Sequence, residues 1–463
     1  MKKYILIILC CLTSFPLWSY NVNMIVEHYS VDQGLPNNTV NCTLKDRDGF
    51  IWFGTWYGLC CFDGVKFKTF NKQEHDSDVP PRKIQRIVED KNGYIWVKTI
   101  DRKLYVFNKV TECFHAVYDD MKNYSENIQV IKLQNTAEGD VLLLTKDKNL
   151  LLAGVDEKGQ VTIKILFDSR DEINKHDYTL KHHVLCETEE YISWIGTDYK
   201  VSAVHKGAEL ASRPADFITS KINSGDKDSF TSFFEDGRKV WVGDRAGIFY
   251  SIDVRTGLVN RYVLSEIKGA ISNLLVTPAG YVYLSVAGQG TYEYDLAERR
   301  LQKINTEMND AMVTHAFIDQ YDKIWFHENE KALIYYDPLN HTAKRFPFTM
   351  FGKITTLYSE DAGERGLFFL SPAGEAWLFD REHAEMVYIN KLKQLSNDRA
   401  NQQFYHLMLD NDGVLWLSSA DEGVYCMNFP KKQFNLLSLF PQSAGRENYA
   451  TGVRALFQSK SGD

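Results

Sequence analysis

One short phrase returns along this chain every forty-odd residues, and that recurrence limits the fold more than any other feature. Its clearest copy is DRDGFIWFGTWYGLCCFDG, residues 46–64. Aligned on Gly-x-aliphatic-Trp, the aromatic slot is filled by Trp52, Trp96, Leu142, Trp194, Trp241, Tyr283, Trp325, Phe369 and Trp416. The intervals are 44, 46, 52, 47, 42, 42, 44 and 47 residues.

Within one unit the elements are short and extended. Residues 38–46 (NTVNCTLKD) alternate apolar and polar, as a half-buried strand does. An Asp-Gly turn follows, in which Gly49 can take positive φ. FIWFGT is a second strand, LCCFD a third, and KFKTF alternates as a fourth. Four antiparallel strands per unit, with no helical periodicity between units, describe the blade of a β-propeller. The slot aromatic is expected to pack between neighbouring blades. The 13% aromatic content, dominated by Tyr and Phe, suits pleated and half-buried surfaces.

Nine slots exceed the usual four to eight blades. The simplest partition is an all-β protein with a seven-bladed propeller over residues 21–350. The first two blades and one strand of a truncated second propeller follow over 351–463. Closure of the first ring then requires Met24–Val31 (MIVEHYSV) to supply the outer strand of the seventh blade. One enlarged ring is the competing partition. The last residues, Val453–Asp463, read as the first strand and turn of a tenth unit.

Residues 1–20 differ from the rest. Lys2 and Lys3 precede an apolar run from Tyr4 to Trp18, which reads as a signal peptide cleaved near Ser19, with an uncleaved anchor as the alternative. Six cysteines follow it: Cys42, Cys60, Cys61, Cys113, Cys186 and Cys426. Their spacing matches no zinc pattern, so they are expected to be small buried hydrophobes. Cys60 and Cys61 are neighbours on one strand and point to opposite faces. The net charge of −8, without a basic tail, removes the phosphate-neutralising term on which nucleic-acid binding depends.

DQGLPNNTV, followed by DRDGFIWFGTWYGLCCFDGVKFKTF, closely resembles the two-component regulator propeller repeat. A leader, this phrase and nine units resemble the start of a Bacteroides-type hybrid two-component sensor. The resemblance implies two periplasmic seven-bladed propellers, then a small β-sandwich, a membrane helix, a histidine kinase, a receiver and a DNA-binding domain. It further implies sensing of oligosaccharides released from polysaccharides, and a homodimer in the full-length receptor. It runs over Met24–Asp463. It is strong in units one, two and nine, and faint in units three and eight. The membrane would be reached through a C-terminal helix outside this chain, or through the uncleaved leader. No kinase motif is assigned to these residues.

Patterns for catalysis and metal binding lead elsewhere. HENEK (residues 327–331) has Lys331 where H-E-x-x-H needs its second histidine, and it ends a strand rather than lying on a helix. DRDG and DNDG place glycine fourth, where an EF-hand needs it sixth, so hairpin turns explain them. AGQG (residues 287–290) joins two strands and opens no helix. No nucleophile, base and orienter set is found. No cofactor, metal or catalytic residue is therefore expected.

What remains is a binding face built from the loops between second and third strands. The candidates there are Trp56, Tyr57, Arg102, Tyr199, Lys200, Arg245, His327 and Glu328. Aromatic rings with convergent polar groups suit an oligosaccharide. Trp56 stands out, because a large exposed aromatic is costly without a partner. The competing functions are a propeller lyase or glycosidase, which would need paired carboxylates drawn from Asp244, Glu328 and Asp421, and a protein-interaction propeller.

Overall fold

The computed structural model describes residues 25–428. Outside the description within that span are 71–80, 123–128, 148, 168–179, 189, 197–199, 208–216, 222–229, 305–312, 329–330, 352–357, 362–365, 372–374 and 392–403. The expected leader, the tail beyond 428 and Tyr199 therefore lie outside the described residues.

The described residues form nine four-stranded antiparallel sheets. Sheets one to nine span 40–70, 84–116, 130–167, 180–221, 230–263, 271–303, 313–347, 358–391 and 404–428, the ninth completed by Ile25–Tyr29. Strand order within each of the first eight sheets follows chain order, as in a meander. One α-helical turn, Tyr118–Met121, accompanies them. The all-β propeller with four-stranded blades is thus the fold.

Each buried cluster joins two consecutive blades. Trp52, Leu59 and Cys61 of the first pack on Ile87, Val97 and Phe107 of the second. Val88 and Trp96 of the second pack on Leu133, Leu143 and Leu151 of the third. The pattern continues through the seventh and eighth blades (Trp325 with Phe369 and Phe379) and the eighth and ninth (Phe368 with Leu415 and Tyr425). The last cluster returns to the beginning, setting Trp416 and Val424 against Val40, Phe53, Cys60 and Phe62. The cycle of interfaces is closed by nine blades, the enlarged ring.

This corrects the expected partition. Ile25–Tyr29 does not complete the seventh blade, which has its own outer strand, Thr342–Pro347, paired with Ala332–Asp337. It pairs antiparallel with Val424–Asn428 of the ninth, from Ile25↔Asn428 to Tyr29↔Val424. The eighth and ninth sheets lie in the same compact unit as the first seven, where a second propeller had been expected from residue 351. The physical reason is that the open edge is in the ninth sheet. Tyr29 also has an aromatic bed there, between Phe62, Phe67 and Trp416. A chain starting at Ser30 is expected to expose the Val424–Asn428 edge and self-associate. Size-exclusion chromatography that finds it as monomeric as the longer chain would refute this closure.

The phrase itself now has a structural reading. Asp46 Oδ1 accepts from the amides of Asp48 and Phe50, which shapes the turn, and its Oδ2 accepts from Trp52 Nε1 at 2.8 Å. The same carboxylate–indole bond recurs as Asp90–Trp96 (2.9 Å), Asp236–Trp241 (2.7 Å), Asp319–Trp325 (3.2 Å) and Asp410–Trp416 (3.1 Å). A buried indole needs an acceptor, and a buried carboxylate needs donors. In two units whose slot is not Trp a threonine takes the place of the carboxylate, Thr136 in the unit of Leu142 and Thr277 in that of Tyr283, and Thr188 does so in the unit of Trp194. Gly54 is required because a Cβ there would strike Cys42 Sγ and Ile84 of the next blade; Gly243 meets Ser232 and Ile271 in the same way.

Cys42, Cys60, Cys61, Cys113 and Cys426 are free thiols. As expected, Cys60 and Cys61 face opposite ways, into the ninth–first and first–second interfaces. Burial pushes the Cys42, Cys60, Cys61 and Cys426 thiols up to about 12.

Candidate functional site

The loops between second and third strands share a face with the entries to the first strands, and main-chain hydrogen bonds tie them together. Gly423 N donates to Asn38 O, Trp56 N to Thr39 O, Lys83 N to Trp56 O, Ile100 N to Lys83 O, Val130 N to Arg102 O and Lys146 N to Gln129 O, all at 2.8–3.2 Å. This thread runs from the ninth blade through the third. It makes that part of the face a fixed platform, which lowers the ordering cost of binding.

Two of the expected residues lie side by side on the first blade's part of the platform. Trp56 is 42% exposed and Tyr57 64% exposed. Lys83 Nζ sits 5.4 Å from the centre of the Trp56 ring, a cation–π contact that occupies one of its faces. Lys83 bonds Trp56 on one side and Ile100 on the other, so Arg102 follows directly on the second blade. Arg102 has φ 68°, the left-handed region that side chains avoid.

Arg102 lines a groove of about 390 Å³ with Asp101, Lys103, Tyr105, Tyr118 and Gln129, floored by Leu104, Val117 and Met121. Tyr118 is 58% exposed and stands at the start of the helical turn. It was not anticipated from sequence, because it precedes no repeat landmark. Beneath the loop, Lys98 is buried with its Nζ on Gln85 Oε1 at 2.6 Å. Burial, with Arg102 adding repulsion, pushes the Lys98 ammonium down to about 8.

The remaining expected residues do not join this group. Arg245 is exposed on the fifth blade, in a turn that Asp244 shapes by accepting from the amides of Ala246 and Ile248. His327 is half-buried against Phe348, and burial, with His315 nearby, lowers its pKa. Glu328 is buried and held by Arg345, whose Nε and Nη2 donate to Oε2 at 3.2 and 2.9 Å. Lys200 begins the third strand of the fourth blade. Of the carboxylates an enzyme reading would use, Asp244 and Glu328 are thus committed to their own loops.

One acidic trio on the opposite face, Asp46, Asp48 and Glu89, has ligand atoms close enough for a cation. Lys109 already fills it, with Nζ at 3.1, 2.6 and 2.8 Å from the three carboxylates. Burial works against the lysine's charge, yet these hydrogen bonds lift its pKa above the ordinary value. The trio is therefore an inter-blade clasp. The residue that directly follows the third strand does the same elsewhere: Lys206 reaches Glu138 and Glu187, and Arg381 reaches Asp319 and Asp361.

The two component regulator propeller model matches residues 34–57, the stretch holding the first Asp–Trp turn and Trp56. No curated protein matches the chain. Among solved structures, it is similar to the extracellular domain of a B. thetaiotaomicron protein described as the hybrid two component system BT3049. The identity is 14%, the TM-score 0.34, and the coverage 90% of this chain and 61% of that one. A second B. thetaiotaomicron extracellular domain, of BT4673, gives 14% identity and TM-score 0.31 over 86% and 66% of the two chains. The chain thus spans less than two thirds of the length of these domains. Virginiamycin B lyase from Staphylococcus aureus is similar at 9% identity and TM-score 0.38, over 88% and 99%. Among the described residues, no helix is long and apolar enough to cross a membrane.

Proposed function

We propose that this chain is the ligand-sensing part of a periplasmic receptor of the hybrid two-component kind. It binds an oligosaccharide on its loop face and relays the event to a kinase outside these residues. The two-component regulator propeller repeat at 34–57 supports the receptor class. The observation that carries the binding role is the groove beside Arg102, where an exposed tyrosine ring stands among a guanidinium, a carboxylate and an amide on a tied platform. A ring face against sugar C–H groups, with polar groups at its rim, is the chemistry of carbohydrate recognition. Relay requires only that the ligand prefer one of two receptor arrangements, such as two packings of a homodimer.

Trp56→Ala and Tyr118→Ala are expected to melt within about 0.5 kcal/mol of the parent, since both are surface positions. Each is expected to lose at least tenfold in affinity, about 1.4 kcal/mol, for the oligosaccharide selected by a glycan array. Calorimetry with product analysis reads both points. Unchanged affinity in both variants would place the ligand elsewhere, and turnover of the sugar would replace the sensor reading with an enzymatic one.

A further inference from the structure

Along the axis, beneath the platform, lies a second cavity of about 470 Å³, lined by the innermost strands of four blades. Thr43 comes from the first blade, Arg86 from the second, Gln134 from the third and His406 from the ninth. Thr43 is 6% exposed, and its Oγ1 has no hydrogen-bond partner; buried His406 Nδ1 has none either. Among the described residues, Arg86 forms no ion pair. A buried hydroxyl and imidazole nitrogen left unsatisfied destabilise the fold unless something fills the site.

The repeat shows that this is more than a local accident. Every described first hairpin but that of the eighth blade carries a bulge near its platform end. In all but the fourth of these, the residue just past the bulge faces a definite partner on the second strand. Those pairs are Cys42–Gly54, Arg86–Lys98, Lys132–Leu144, Ser232–Gly243, Asn273–Ser285, His315–His327 and His406–Ser418. This level around the axis holds the cations Arg86, Lys98 and Lys132 and three histidines, of which burial favours the neutral form of His327 and His406, and in these seven pairs no Asp or Glu. The chain as a whole is acidic, at −8. Glu89, the acid lining the cavity, is paired with Arg47 at 3.2 Å and with Lys109 at 2.8 Å, the cation it shares with Asp46 and Asp48. A low-dielectric channel with one sign of charge concentrates ions of the other.

We infer that the axial channel is an anion subsite, with Arg86 binding the carboxylate, sulfate or phosphate group of an acidic ligand and Thr43, Gln134 and His406 completing its hydrogen bonds. It deepens the oligosaccharide reading above, on which the sugar part rests, by making the ligand an acidic sugar. Lys98 links the two sites, being paired with Arg86 and close enough to Arg102 to feel its charge.

The test is calorimetry on the parent chain and Arg86→Gln with three probes at constant ionic strength: inorganic phosphate, trigalacturonate and maltotriose. Phosphate and trigalacturonate are expected to bind the parent and to weaken at least tenfold in Arg86→Gln, whose melting temperature stays unchanged because Arg86 is exposed and forms no ion pair among the described residues. Binding of neither anion, or equal binding by parent and variant, overturns the inference. Maltotriose bound equally by both, with neither anion bound, overturns it while leaving the oligosaccharide reading standing. Phosphate bound without either sugar supports the anion subsite and sinks the oligosaccharide reading.

Discussion

Trp96→Ala is expected to lower stability by about 3–5 kcal/mol, the range for emptying the space of a fully buried tryptophan. Trp96 is completely covered at the second–third interface, and its indole donates to Asp90 Oδ2. Trp96→Phe separates the two contributions. It keeps most of the apolar volume but takes a donor from a carboxylate that is itself 1% exposed, leaving its Oδ2 only the amide of Val155 at 3.3 Å while Oδ1 keeps the amides of Asn92 and Tyr94. That variant should lose about 1–3 kcal/mol, the cost of an under-satisfied buried polar group. Urea melts followed by circular dichroism decide the matter. If Trp96→Phe is as stable as the parent, the Asp–Trp bond is a by-product of turn geometry and not the reason the motif recurs.

Lys109→Met should cost about 3 kcal/mol, because it leaves acids packed together without their shared cation. Asp46 has no exposed side-chain surface, and Glu89 little. A second arm tests the generality of the clasp: Arg381→Met removes the cation from Asp319 and Asp361 at the equivalent position of the eighth blade. The clasp also has a pH signature. Lys109 titrates above its ordinary value, so its contribution is present below about pH 10 and is lost as pH rises through the folded pKa. The Lys109 hydrogen bond holds the exposed Asp48 carboxyl below the usual range, so its smaller share is present above about pH 4 and fades in acid. Lys109→Met should flatten the alkaline limb of the stability profile. A parent-like profile would show that the clasp contributes nothing.

Much of the candidate site was legible only in part. Trp56, Tyr57 and Arg102 could be read from the loop positions that the repeat defines, and the structure sets them on adjacent blades. Glu328 could not be told from a binding residue, since its partner Arg345 lies on another strand and no local pattern announces the pairing. The axial cluster left a trace that position-by-position reading overlooks. Arg86, Lys132, His315 and His406 each stand ten residues before a slot residue, so a column of bases was present once the units were stacked.

The blade is a local object. Asp-x-x-Gly turns, alternating strands and a slot aromatic act over a dozen residues, within reach of hydrogen bonds and side-chain contacts that neighbouring residues make themselves. The sequence by itself therefore determined the four-stranded unit, its number of copies and the face that carries the loops. How many units share one axis, which edge receives Ile25–Tyr29, and which polar groups meet in the channel were decided by tertiary structure alone. Those outcomes depend on pairings between residues some four hundred positions apart, such as Tyr29 with Val424. An apolar strand carries the same pattern whichever open edge it finally covers, and only the closed ring leaves a single edge free to take it.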